Sequence, residues 1–316
     1  MECSAFTCQL SKFFVVLQIL AFWPVWKWFW WRLTVCPNEI WELLPLGVVP
    51  LLLSLRKNPY SLSRRDNPIL AQRFIAGCTS NREQKVPLVT AESLDSQTSL
   101  DQFTSGLCLP AVLTLLYATS YPFLPPLLNA ALALTALNAT LSAFCLGTRF
   151  HLGLWGLMLM SLQILNGLQF YLGFPLRVFV AALVAPLLNI SGFPVIREGT
   201  CLNWAGEMVL IDAPCSGIKM LWTGLFLSFA LACFYNLNWR RTILIALCAM
   251  VVVILGNVLR AAALFYVEAK ILDMPAWSHT GIGVMVFMIV AVTIALCAEK
   301  IGRQSDSVTC HIVSCG

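Results

Sequence analysis

Residues 242–267 read TILIALCAMVVVILGNVLRAAALFYV, a run whose only charged residue is Arg260. A helix of about 17–25 apolar residues suffices to cross the hydrocarbon core, so this stretch predicts a transmembrane span. Working outward, comparable runs lie near 13–31, 40–55, 108–127, 129–147, 152–173, 217–236 and 280–298. The expected fold is therefore all-α, a polytopic transmembrane helical bundle of about eight spans. A further apolar stretch, 176–196, is interrupted by Pro186, Gly192 and Pro194 and flanked by Arg177 and Arg197. It is expected to lie in the interface or to re-enter the membrane.

Composition supports the bilayer reading. The chain of 316 residues is 59% hydrophobic and 11% charged, with mean hydropathy +0.80. That excludes the two soluble domains its length would allow, a secreted disulfide scaffold and a disordered chain. A formal charge of +5 over this length leaves no electrostatic footprint for a nucleic-acid partner. Most of the thirteen cysteines, among them Cys145, Cys233, Cys248 and Cys297, sit in apolar runs, where a free thiol acts as a small hydrophobe. The N-terminal apolar stretch continues into a Trp-rich segment, 23–31, instead of ending at a small-residue cleavage site. It reads as a first span and not as a removable signal, with the Trp residues forming an aromatic belt.

Placing the N-terminus in the cytoplasm puts thirteen Lys and Arg residues in the inside segments 1–12, 56–107, 148–151, 237–241 and 299–316. Four fall in the outside segments 32–39, 174–214 and 268–278, as the positive-inside rule requires. Lys27, Lys219 and Arg260 lie within or at the ends of spans. The expected organisation is an N-terminal two-span hairpin, 1–55, a polar cytoplasmic loop, 56–107, a membrane domain, 108–298, and a cytoplasmic tail, 299–316. No internal repeat stands out.

Three features of the last 120 residues are more than packing. The first is Asp212-Ala213-Pro214-Cys215-Ser216-Gly217-Ile218-Lys219. Pro214 and Ser216 suit a helix start, which would set the Cys215 thiol at the positive end of a helix dipole with Lys219 one turn on. Both favour thiolate, and hence a nucleophile, although a buried Cys is often inert. The second is Arg260, with Asn257 at i−3 on the same face. An intramembrane guanidinium is expensive and cannot shed its proton, so it marks a functional site unless it snorkels. Its candidate partners are a substrate carbonyl, a substrate carboxylate or Asp212. The third is Trp277-Ser278-His279-Thr280-Gly281 at the start of the final span. In the expected topology all three reach a similar depth at the outer face.

Cys, His and a fixed cation are the parts of thiol acyl transfer, with His279 as acid and base, Cys215 as the thioester-forming nucleophile and Arg260 stabilising the oxyanion. One Cys and one His are too few for a metal, and Cys310-His311-Ile312-Val313-Ser314-Cys315 is likewise short of a zinc site. No metal and no cofactor are expected.

The motifs Pro214-Cys215-Ser216-Gly217-Ile218-Lys219, Gly256-Asn257-Val258-Leu259-Arg260 and His279-Thr280-Gly281-Ile282-Gly283 resemble those of the exosortase/archaeosortase family of membrane-embedded cysteine transpeptidases. The resemblance covers about residues 105–298 and takes in the stretch from Leu176 through Gly192 to Leu210. It implies a sorting enzyme of the cytoplasmic membrane with its site at the extracytoplasmic face. The substrates it implies are exported proteins ending in a short motif, a hydrophobic helix and a basic cluster. They would be held as a thioester on Cys215 and passed to a lipid or polysaccharide acceptor, or hydrolysed. Carried over, Cys215 is nucleophile, His279 acid/base and Arg260 the oxyanion or substrate clamp. Asn257 supports Arg260, with Asp212 and Lys219 as further candidates near the substrate. Pro214 stands where the family often has Ala, and the long loop 56–107 is a second departure. The competing class is a transporter or channel using Arg260 and Asn257 for an anionic solute, with Gln163 and Asn166 as polar residues on its path. The last three spans are almost wholly apolar in their cytoplasmic halves, which disfavours it.

Overall fold

The computed structural model describes residues 13–35, 37–55, 106–211, 216–275 and 277–314. Asp212 and Cys215 lie outside these, as does nearly all of the expected loop 56–107. The chain divides into two compact units, Met1–Leu162 and Gln163–Gly316, taken here in turn.

The first unit consists of helices joined by turns, with no strand among its described residues. Helices α1 (Phe13–Ala21) and α2 (Trp23–Val35) are bent by 58° at Phe22, so the run read as one span, 13–31, is a broken one. A 3-10 turn, Pro37–Leu43, leads into α3 (Leu44–Leu55). Then come α4 (Gly106–Ser120), α5 (Pro126–Cys145) and α6 (Leu152–Leu159). Pro125 and Pro126 start α5, where a missing N–H costs nothing. One buried amide joins three of these helices. Gln18 Nε2 donates to Thr114 Oγ1 at 2.8 Å, and Thr140 Oγ1 donates to Gln18 Oε1 at 2.6 Å. Beside it Phe22 meets Tyr117 edge-on, with ring centroids 4.8 Å apart. A polar group satisfied on both sides holds helices in register where apolar packing alone is not directional.

The second unit holds α7 (Leu165–Ile190), a three-stranded antiparallel sheet, then α8 (Ile218–Phe234), α9 (Trp239–Glu268) and α10 (Ser278–Ser314). Helices α8, α9 and α10 pack against one another, and α7 packs on α8 and α9. Their shared core includes Met220, Ala249, Val253, Val290 and Ile294. Asn238 caps α9 by accepting from Arg241 N at 3.1 Å.

Two expectations need correction. Residues 152–173 are not one span: α6 ends at Leu159, Ser161 Oγ turns back to the Met158 carbonyl at 2.6 Å, and Gln163 is left-handed with φ 51. A new helix, α7, then runs unbroken to Ile190, through Pro175 and Pro186. So most of 176–196 belongs to a helix long and apolar enough to cross a membrane, and Arg177 lies inside a helix instead of flanking one. Its Nε donates to the Gly173 carbonyl at 3.3 Å, and the guanidinium lies 5.8 Å from the Phe174 ring.

The fold is also not purely helical. Strands β1 (Ile196–Glu198), β2 (Cys201–Trp204) and β3 (Glu207–Leu210) form hairpins in the order β1-β2-β3. Ala205 and Gly206, with φ 53 and 88, supply the two positive φ values that a tight hairpin between β2 and β3 needs. Leu202 and Val209 pack with Val184, Leu188 and Phe265, which seats the sheet on the C-terminal halves of α7 and α9. Phe193, Trp204, Phe265 and Tyr266 close this contact with edge-to-face rings.

Among the described residues four helices are long and apolar enough to cross a membrane, or five if the bent α1–α2 pair counts as one. The protein is therefore a mostly helical membrane protein. Shorter apolar helices are Ile40–Leu55, Gly106–Ser120 and Ile218–Phe234.

Candidate active site

Helix α9 carries Asn257, Arg260, Leu264 and Glu268 at spacings of three and four, which place them along one face. Each polar member of that row meets a different partner. Asn257, buried, lies under the turn that starts α8: a Cβ on Gly217 would stand 2.7 Å from its Nδ2. Gly217 also has φ 80, so both sterics and backbone exclude a side chain there. The preceding Ser216 is buried, and its Oγ donates to Gln169 Oε1 of α7 at 3.1 Å. Leu221 N bonds the Gly217 carbonyl at 2.8 Å and so begins α8. The residue that follows Cys215 in sequence is thus anchored to α7, and the next to α9. A cavity of about 20 Å³, about one water in size, touches Ser216, Gly217, Asn257 and Val180.

Arg260 is half-buried and lies across α10. A Cβ on Gly283 would stand 3.2 Å from Arg260 Nε and 3.5 Å from its Cζ. Gly283 is one turn, about 6 Å, along α10 from His279 and on the same face. His279 is the second residue of α10 and partly exposed; its Nε2 lies 3.9 Å from Glu268 Oε1. That is an ion-pair distance when the ring is protonated, and too long for a direct hydrogen bond.

The sequence-predicted residues therefore divide. Arg260 and His279 lie along the α9–α10 seam, through Gly283 and Glu268, while Asn257 lies against the turn after Cys215 at the start of α8. Cys215 and Asp212 are outside the described residues. Lys219 is exposed in the first turn of α8 and forms no ion pair among the described residues. The expected helix start also shifts: Gly217 is the cap, Ile218 the first helical residue, and Ser216 serves Gln169 instead of capping. Two contacts were missed from sequence, that of Glu268 with His279 and that of Gln169 with Ser216. Glu268 was legible as the i+11 member of the Asn257 row; Gln169 was not, because it sits 47 residues from its partner.

Gly217→Ala is expected to cost about 1–2 kcal/mol in backbone strain alone. The clash with Asn257 adds to this, so the melting temperature falls. Sorting activity should fall with it, as the Ser216–Gly217 turn shifts.

A bundle of apolar helices that carries a buried Asn257 and a half-buried Arg260, with a small sheet seated on α7 and α9, fits a membrane enzyme and a membrane transporter alike. The comparison with known families decides between these: the model of the transmembrane exosortases (Exosortase_EpsH) matches residues 87–296, about two thirds of the chain. The protein belongs to that family, and is a membrane-embedded, sorting-related enzyme acting on exported proteins. No curated protein and no solved structure matches it.

Proposed function

We propose that the protein is a cysteine transpeptidase that cleaves the C-terminal sorting signal of exported proteins and transfers them, through a thioester on Cys215, to an acceptor nucleophile or to water. The observation that carries the reading is the α9–α10 seam. Arg260 lies against Gly283, one turn from His279, while Asn257 three residues away supports the turn that follows Cys215. In the first step the Cys215 thiol gives its proton to His279 and the thiolate sulfur attacks the scissile carbonyl carbon. Arg260, permanently charged, stabilises the oxygen that becomes negative. Collapse of the tetrahedral adduct breaks the C–N bond, and His279 returns its proton to the leaving amine. The acceptor then attacks the thioester by the same steps in reverse.

Glu268 has a positioning role in this scheme. At 3.9 Å from Nε2, its carboxylate sets a negative charge beside the imidazolium that forms when His279 takes the Cys215 proton. Glu268→Gln is expected to lower kcat roughly tenfold, a part of what acid–base catalysis supplies. KM and melting temperature should be unchanged, and Glu268→Asp should restore part of the rate. A loss of melting temperature in step with activity would mark the pair as structural.

Eight crossings follow if the bent α1–α2 pair, the four long helices and the three shorter apolar ones all span. Helix α8, 17 residues, is about 25 Å long, near the lower limit. Exchanging 152–173 for α7 leaves the count unchanged, so every later loop keeps its side. It also moves Arg177 out of the outside loops, which sharpens the positive-inside bias. The sheet, His279 and the residues before Ser216 then face the extracytoplasmic side of the cytoplasmic membrane. The expected substrates carry a sorting motif, a hydrophobic helix and a basic cluster. Co-expression with such a tagged protein tests the assignment: its processing by the wild-type chain supports it, and failure to process any tripartite tail encoded in the same genome removes it.

A further inference from the structure

The proposed chemistry uses no residue of the first unit, yet that unit holds a cavity of about 490 Å³. This is the size of a small-molecule pocket. One wall is α2, through Lys27, Trp28 and Trp31; the other is the turn between α4 and α5, through Tyr121, Leu124 and Asn129.

The second wall is held in shape by Asn129. This residue is 4% exposed, and its Nδ2 donates to the carbonyls of Tyr121 at 3.1 Å and Leu124 at 3.0 Å. Both amide protons are used, while Oδ1 has no hydrogen-bond partner among the described residues. A buried acceptor in that condition favours a ligand that brings a donor. Lys27 asks for the opposite. It stands in an apolar, Trp-rich helix, and among the described residues no carboxylate pairs with it. The site thus calls for an anion and a donor on one molecule.

The surroundings decide what kind of molecule. Trp23, Trp30 and Trp31 on α2 and Leu20 on α1 are all more than half exposed. Trp and Tyr prefer the head-group level of a bilayer, and a ligand with hydrocarbon chains would lie along these apolar side chains. A soluble anion would gain nothing from them.

We propose that this cavity binds the head group of a phosphate-bearing lipid, with the phosphate on the Lys27 ammonium and a hydroxyl or ammonium of the same head group donating to the Asn129 amide oxygen. Two sources share that chemistry, a bulk glycerophospholipid and a polyprenyl-linked phosphosugar. The inference does not depend on the Cys215 mechanism.

Native mass spectrometry of the detergent-solubilised full-length protein, titrated with single lipids, tests it. Phosphatidylethanolamine should be retained about tenfold better than phosphatidylcholine, which has the same net charge but no donor. Phosphatidylglycerol should behave like phosphatidylethanolamine. Lys27→Met should lower retention of both about tenfold and Lys27→Arg should preserve it; Lys27 is exposed, so both variants should fold, which their melting temperatures check. Displacement of phosphatidylglycerol by a polyprenyl phosphosugar, lost in Lys27→Met, would support the site and make the polyprenyl lipid its source. Failure to displace, with the Lys27 dependence intact, would support it with bulk phospholipid as the source. Equal retention of phosphatidylcholine and phosphatidylethanolamine, or undiminished retention in Lys27→Met, would overturn it.

Discussion

Replacing Cys215 by Ala is expected to leave the chain inserted and folded while the precursor of an exported, tail-bearing substrate accumulates. Without the sulfur there is no covalent route, and removal of a nucleophile costs roughly 10⁴–10⁶ in rate. The folded state should survive because its nearest described supports do not involve the thiol. Ser216 is tied to Gln169, and Gly217 rests on Asn257. Two readouts separate the mechanism from a general loss of function. An acyl adduct sensitive to hydroxylamine should form on the wild-type protein when acceptor is withheld and be absent from Cys215→Ala. In intact cells, a membrane-impermeant maleimide should modify Cys215, located by peptide mass among the thirteen cysteines. Normal processing in the variant would sink the thioester, and modification only from the cytoplasmic side would sink the orientation.

Much of the fold was legible because a bilayer leaves few options. The span read over 242–267 is the helix Trp239–Glu268, and the one read from 280 begins at Ser278. What was misread has a physical cause. Hydropathy finds apolar runs but not the point where one run changes direction, and the break at Met160–Ile164 has neither Gly nor Pro to announce it. Conversely, Pro186 was weighed as a breaker, whereas helices in lipid tolerate Pro when neighbours satisfy the freed carbonyls. The small sheet escaped because its strands are three or four residues long and carry Arg197, Glu198 and Glu207, too short and polar for an alternating pattern.

The site was legible wherever its members share a helix. Asn257 and Arg260 are i and i+3, and the periodicity alone sets them on one face. Glu268 belongs to the same row but sits in the last turn, where a carboxylate looks like an ordinary helix end. Contacts between helices were not legible. Gln169 was assigned to a span that does not exist, so nothing placed it beside Ser216. The closeness of Gly283 to Arg260 depends on how tightly α9 and α10 approach, which sequence spacing does not report.

Arg260→Ala is expected to lower kcat by roughly 10²–10³, the usual effect of losing one donor to an oxyanion. The argument rests on timing. A cation already fixed beside Gly283 need not reorganise as charge develops on the carbonyl oxygen, and in a partly desolvated seam its field is less screened than in water. Arg260→Lys keeps the charge but loses the planar fork, so it should recover only part of the rate. Gly283→Val keeps the arginine but pushes its guanidinium aside, since even a Cβ there would stand 3.2 Å from Arg260 Nε. It should therefore approach Arg260→Ala in kcat without altering Cys215 or His279. Single-turnover formation of the acyl adduct is the measurement to make, since it isolates the step in which the oxyanion forms. Wild-type rates in Arg260→Ala would refute the oxyanion role. A rise in KM at unchanged kcat would refute it differently, by assigning the guanidinium to a substrate carboxylate that is held equally before and during reaction.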